Sequence, residues 1–125
     1  MLEIPVEACP NQSFLVTLPD SSGTGRNCAI ALYQRGGRVY LDLAVDGVTL
    51  RRGAVCLPRV GIVGDVAGFS GELFVVDSRT QPDAQEPPQW QGLGTRWKLY
   101  YLDAGEVTEM RDEAAQAALQ GGIHG

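Results

Sequence analysis

The stretch YQRGGRVYLDLAVDGVTLRRG, residues Tyr33 to Gly53, limits the fold more than any other part of the chain. Val39, Leu41, Leu43 and Val45 alternate with Arg38, Tyr40, Asp42 and Ala44, and a side-chain period of two lays the first set on one buried face of a strand. Gly36-Gly37 and Asp46-Gly47 bracket that strand. Such pairs accept the positive φ angles of type I′ and II′ turns, whose twist suits antiparallel neighbours. The pattern predicts a meander of strands over 28–35, 38–45 and 48–52.

The flanking segments extend this reading. QSFLVTL predicts an earlier strand, closed by the turn-rich loop PDSSGTG and partnered by the strand beginning near Arg26. GAVCLPRVGIVGDVAGFSG is apolar, but five glycines and a proline interrupt it. That is too often for a regular helix or a long strand, so it predicts an irregular connection over the core. GELFVVD and TRWKLYYLD predict two further strands separated by the proline-broken loop SRTQPDAQEPPQWQGLG. In the last strand Arg96, Lys98 and Tyr100 share one face, and Trp97, Leu99 and Tyr101 the other.

After Asp103 the period changes. Asp103 and Glu106 have capping-box spacing, and Val107, Met110, Ala114, Ala117 and Ala118 recur at intervals of three and four until Gly121-Gly122. This predicts one helix over about 104–120. The fold class expected is mainly β, a small antiparallel β-barrel or β-sandwich with one C-terminal α-helix. Residues 1–102 form the β domain, and 103–125 an acidic helix with a flexible end.

A chain of 125 residues, 44% hydrophobic, has room for one core. No run approaches the roughly 20 apolar residues of a membrane helix. The opening MLEIPVEACP has acids and prolines where a secretory leader needs a basic and then an apolar region. The expectation is a protein made and kept inside a cell, without membrane association. Cys9, Cys28 and Cys56 are odd in number and widely spaced among apolar neighbours, with no CxxC or Cys/His pair. They are expected to be buried free thiols in a reducing compartment.

Of the net charge of −5, the segment from Asp103 onward carries −4, from Asp103, Glu106, Glu109, Asp112 and Glu113 against Arg111. A nearly neutral body with an acidic tail offers no general attraction to a phosphate backbone, so no nucleic-acid partner is expected.

The residues equipped for chemistry are few. The one histidine, His124, is penultimate in a glycine-flanked end, which leaves no histidine-dependent triad. Asp42 and Asp46 read as a strand-face carboxylate and a turn former, with a carboxylate hydrolase kept as a remote alternative. The GTG at 23–25 lacks the lysine and remaining glycine of a phosphate loop. Arg51-Arg52 and the face of Arg96, Lys98 and Tyr100 keep open a second reading, a stand-alone β-barrel binding single-stranded nucleic acid or a small ligand. No catalytic, cofactor or metal residue is assigned.

GELFVVD, the proline-rich loop and LGTRWKLYYL, taken in order, resemble the baseplate plug family of contractile-tailed bacteriophages. Its conserved end is a Gly-Gly-x-Leu strand, a Pro-containing loop, then Leu-Gly and a strand ending in Tyr-Leu. The matching positions are Gly71, Leu73 to Asp77, Pro87, Pro88, Leu93, Gly94 and Leu99 to Leu102. With EIPVEACPNQSFLVTL, the meander and LPRVGIVG, the resemblance spans about residues 2–102. Ser70 replaces the first glycine of the pair, and the alanine-rich acidic tail is longer than the family pattern. The resemblance implies a virion structural protein of the tail baseplate, assembled in the bacterial host cytoplasm. It also implies packing near the tail axis against hub and tail-tube proteins, with self-association in the assembled baseplate as a further contact. It implies no catalysis and no cofactor.

Overall fold

The computed structural model describes residues 1–20, 22–64, 66–79 and 84–110. Seven strands follow one another as β1 (Leu2–Ile4), β2 (Asn11–Pro19), β3 (Gly25–Arg35), β4 (Arg38–Val45), β5 (Val48–Val55), β6 (Glu72–Asp77) and β7 (Trp97–Leu102). They form two antiparallel sheets, β2-β3-β4-β5 and β1-β7-β6. No ladder among the described residues closes them into a barrel, so of the two expected architectures the sandwich fits.

The alternation of β4 is carried into space as read. Val39, Leu41, Leu43 and Val45 are buried, and with Cys28, Ile30 and Leu32 of β3 they meet Leu73, Val75, Trp97, Leu99 and Tyr101 of the opposite sheet in one core. The two hairpin turns differ in kind. Asp46 and Gly47 both have positive φ, as a type I′ turn requires, whereas at the first turn only Gly36 does, as in type II′. β5 runs on to Val55, three residues past its expected end, because the β4–β5 register slips between Leu41 and Ala44 and lets pairing continue.

Two features depart from expectation. β1 was not expected; it exists only because β7, distant in sequence, pairs Leu2 with Tyr101 and Ile4 with Leu99. Cys9 is only partly buried, while Cys28 and Cys56 are buried. Cys9 lies in the turn between β1 and β2, with its thiol 3.3 Å from the Asn11 carbonyl. Burial pushes the Cys56 thiol up to about 12.

The apolar connection behaves as read: Cys56, Ile62 and Val63 enter the core. Its backbone also lines the outer edge of β6, where Arg59 and Ile62 donate N–H groups to the carbonyls of Val75 and Leu73 at 2.9 Å. The sheets are tied together by Tyr101, whose hydroxyl lies 2.7 Å from the carbonyl oxygens of both Pro19 and Ser70 and shares its single proton between them. Beyond β7 a helix, α1, begins at residues 104–110. Its capping box is formed as expected, with Glu106 N–H donating to Asp103 at 2.8 Å and Asp103 N–H to Glu106 at 3.2 Å. The terminal ammonium of Met1 pairs with Glu106 and ties β1 to the helix start. The remainder of the expected helix, and His124, lie outside the described residues.

The β2–β3 loop gives a pH prediction. The Ser22 hydroxyl at 2.7 Å, the Arg26 guanidinium at 3.0 Å and the N–H groups of Ser22 and Thr24 lower the Asp20 carboxyl from 3.8 to about 2. A depressed carboxyl stabilises the fold fully above its unfolded pKa, and that contribution is lost as pH falls through the folded value. Asp20→Asn should flatten the acid limb of a stability–pH profile between about pH 4 and pH 2. An unchanged limb would show that the loop does not hold this carboxylate.

Candidate functional site

Among the described residues, the two carboxylates singled out by the sequence are both engaged in structure. Asp42, on the outer face of β4, accepts the Tyr33 hydroxyl at 2.9 Å and the Gly53 N–H at 2.7 Å, spanning the bulged β4–β5 ladder. Asp46, in the I′ turn, accepts Arg26 at 3.1 Å and the Asn27 N–H at 3.2 Å. The two carboxylates open on different surface clefts, so nothing makes them an acid–base pair. Among the described residues no three His, Cys, Asp or Glu side chains gather closely enough to hold a metal ion.

The basic face of β7 is likewise occupied. Arg96 donates through Nε and Nη2 to both oxygens of Asp77, at 2.9 and 2.8 Å, and through Nη2 to Glu86 at 2.7 Å. These carboxylates, Asp77 first, raise the guanidinium pKa. The guanidinium also stacks 4.3 Å from the Trp97 ring. Lys98 is 4.0 Å from Glu3, and the Tyr100 ring packs beside Phe74. Arg51 donates to the Val63 carbonyl at 2.6 Å. Arg51, Arg96 and Lys98 are thus matched by acids or a carbonyl, and a phosphate would have to displace these partners.

Asp77 is the residue that sequence reasoning passed over. It is 1% exposed. Besides Arg96 it accepts N–H groups from Arg79 at 3.1 Å and Glu86 at 3.2 Å, while its own N–H and C=O are held by the Gln85 amide at 2.6 and 2.7 Å. The Trp97 indole donates to the Glu86 carbonyl at 2.9 Å. Both ends of the proline-rich loop are therefore pinned to one buried carboxylate. The hint in the sequence is an acid closing β6 directly after the apolar run 73–76.

What remains available is surface. On the outer face of the four-stranded sheet the registers set Leu15, Ala29, Ala44 and Thr49 in one row, and Tyr33 and Tyr40 side by side in another. The two tyrosine rings stack 6.0 Å apart. Small side chains in mid-face keep it level, and Leu15 and Val55 stand exposed at its margins. The face also carries Arg38 and Asp42, with Arg35 over the Tyr33 ring, so what it offers another protein is a small-residue, apolar middle bordered by charge.

Comparison with protein families matches residues 1–104 to the family described as cyanophage baseplate Pam3 plug gp18. No curated protein matches the chain.

Proposed function

The chain belongs to the cyanophage baseplate plug family, and from that membership we propose that it packs near the tail axis against hub and tail-tube proteins, after assembly in the host cytoplasm. Membership makes it a phage structural protein of the tail baseplate. The observation that carries the proposal is the small-residue, apolar middle of the outer face of the four-stranded sheet, bordered by Arg35, Arg38 and Asp42, on a body whose candidate carboxylates Asp42 and Asp46 are bonded in structure. Such a body is suited to being held between larger parts.

Mass spectrometry of purified tails should find the chain, and Ala29→Glu, placed in the middle of the face, should fold normally yet be depleted from particles. Absence of the chain from assembled tails would sink the proposal. Normal incorporation of Ala29→Glu would move the contact to another face.

We further propose that residues 1–102 fold as a unit and that 103–125 serve as a docking element. The family match ends at residue 104, and the helical segment, with Met110 half-exposed, offers a thin apolar stripe. Ending the chain after Asp103 should leave the β-type circular dichroism and a cooperative melt in place while weakening incorporation into baseplates. An insoluble or non-cooperative product would assign the helix to the core instead.

A further inference from the structure

A sandwich of two open sheets has four edges, and here three are blunted. The outer edge of β6 is taken by the 58–62 connection, through the Pro58–Val75 bridge and the Arg59 and Ile62 hydrogen bonds. β1 is three residues long and carries Glu3. β5 carries Arg51 and Arg52, and its ladder is bulged. Among the described residues β2 has none of these devices: it runs for nine residues, NQSFLVTLP, without a charge, and pairs with β3 without a slip. A long, flat, uncharged edge is a template for another strand.

The backbone hydrogen bonds show which groups face that edge; of these, the Asn11 carbonyl already accepts the Cys9 thiol. At one end of the ladder Asp20 N–H donates to Thr24 at 2.8 Å, and at the other Gln34 N–H donates to Pro10 at 3.1 Å. In an antiparallel ladder hydrogen-bonded pairs alternate with unbonded ones. Gln12, Phe14, Val16 and Leu18 therefore spend their N–H and C=O groups on β3, and Asn11, Ser13, Leu15 and Thr17 point theirs away from it. The same four side chains are exposed, Leu15 at 78%.

This set is symmetric in chemistry about Leu15. Ser13 and Thr17, two hydroxyl residues, flank it on the outer face, and Phe14 and Val16, two apolar residues, flank it on the inner face. We infer that two copies of the chain pair antiparallel through β2 about a two-fold axis at Leu15, joining two four-stranded sheets into one of eight. Leu15 then exchanges both backbone bonds with Leu15 of the second copy, and Ser13 exchanges both with Thr17. The new pairing stops where Asn11 meets Pro19, which lacks an N–H and whose carbonyl already accepts the Tyr101 hydroxyl. The two exposed leucines cover each other. A second copy fits better than a charged partner strand, because residues 11–19 offer no charge to match, and in a chain of net −5 this self-pairing sets no acid against acid. The inference stands apart from the baseplate assignment, since it concerns the purified chain alone.

Sedimentation and amide hydrogen exchange on the full chain test it. The expected result is a dimer in which the Ser13, Leu15 and Thr17 amides exchange at least about 100-fold more slowly than in the dilute monomer. Leu15→Lys sets like charges opposite at the axis and removes the leucine contact. It should raise the dimer dissociation constant at least about 100-fold with the circular dichroism unchanged. A monomer at every concentration up to about 100 µM, a trimer, a dimer whose three amides exchange freely, or a folded Leu15→Lys that still dimerises overturns the inference. Should Leu15→Lys fail to fold, the exchange of the unaltered protein decides alone.

Discussion

Replacing Gly94 by alanine is expected to lower the melting temperature by roughly 15 °C, corresponding to about 4 kcal/mol. Two costs add. Gly94 has φ +85°, a region that side chains rarely adopt, and a Cβ built there would overlap the backbone carbonyl oxygen of Val6. A backbone atom cannot swing aside as a side chain can, so either the 92–95 turn or the segment after β1 must move. Gly71 is in the same position, with φ +97° and a Cβ that would overlap the Leu102 carbonyl oxygen. Both glycines lie in the stretch by which the chain resembles its family, and each marks a place where two backbones touch.

Two control substitutions separate these costs. Gly36→Ala faces positive φ in open space and should cost about 1 kcal/mol, and Gly37→Ala faces neither and should be near neutral. Chemical denaturation of the series decides. Equal losses for Gly94→Ala and Gly36→Ala would mean that the Val6 carbonyl is not where the fold places it.

Asp77→Ala is expected to destabilise the protein by about 3 kcal/mol, a large share of the 5–15 kcal/mol that holds a domain of ordinary size. The loss comes from what is left behind. The N–H groups of Arg79 and Glu86 lose their acceptor, and Arg96 is left with Glu86 and the Trp97 ring. Asp77→Asn, which keeps the shape and one acceptor oxygen, should lose less. Because the carboxylate pins both ends of the proline-rich loop, Asp77→Ala should also open residues 78–96 to protease well below the melting temperature. A melt and digestion pattern matching the unaltered protein would show that the loop is held by something other than this residue.

Much of the local structure was legible in the sequence. The β4 alternation, the two hairpin turns, the β2–β3 pairing and the Asp103/Glu106 box are each decided within a few residues, by side-chain period, by φ tolerance or by a short reciprocal hydrogen bond. The order of motifs from Gly71 to Leu102 carried the family resemblance for the same reason: turn residues and apolar strands at fixed spacing can be read without coordinates.

What the sequence could not decide depends on partners distant along the chain. Leu2–Ile4 has no strand signal of its own and becomes β1 only because β7 lies beside it. Arg96 reads as part of an exposed basic face until β6 brings Asp77 across from Trp97, beside it in the ladder. Leu15 reads as one more apolar residue of a strand, yet it faces outward because Phe14 and Val16 take the inner face. A period of two states which residues share a face, but not which face the core takes at an edge strand with apolar residues on both sides. The strands from β2 to β7, the hairpin turns and the family resemblance were thus readable from the residues alone, since local sterics and pattern set them. The pairing of β1, the buried carboxylate and the bare β2 edge were decided only by tertiary structure, because the energy of a buried charge or an unpaired edge depends on what lies opposite.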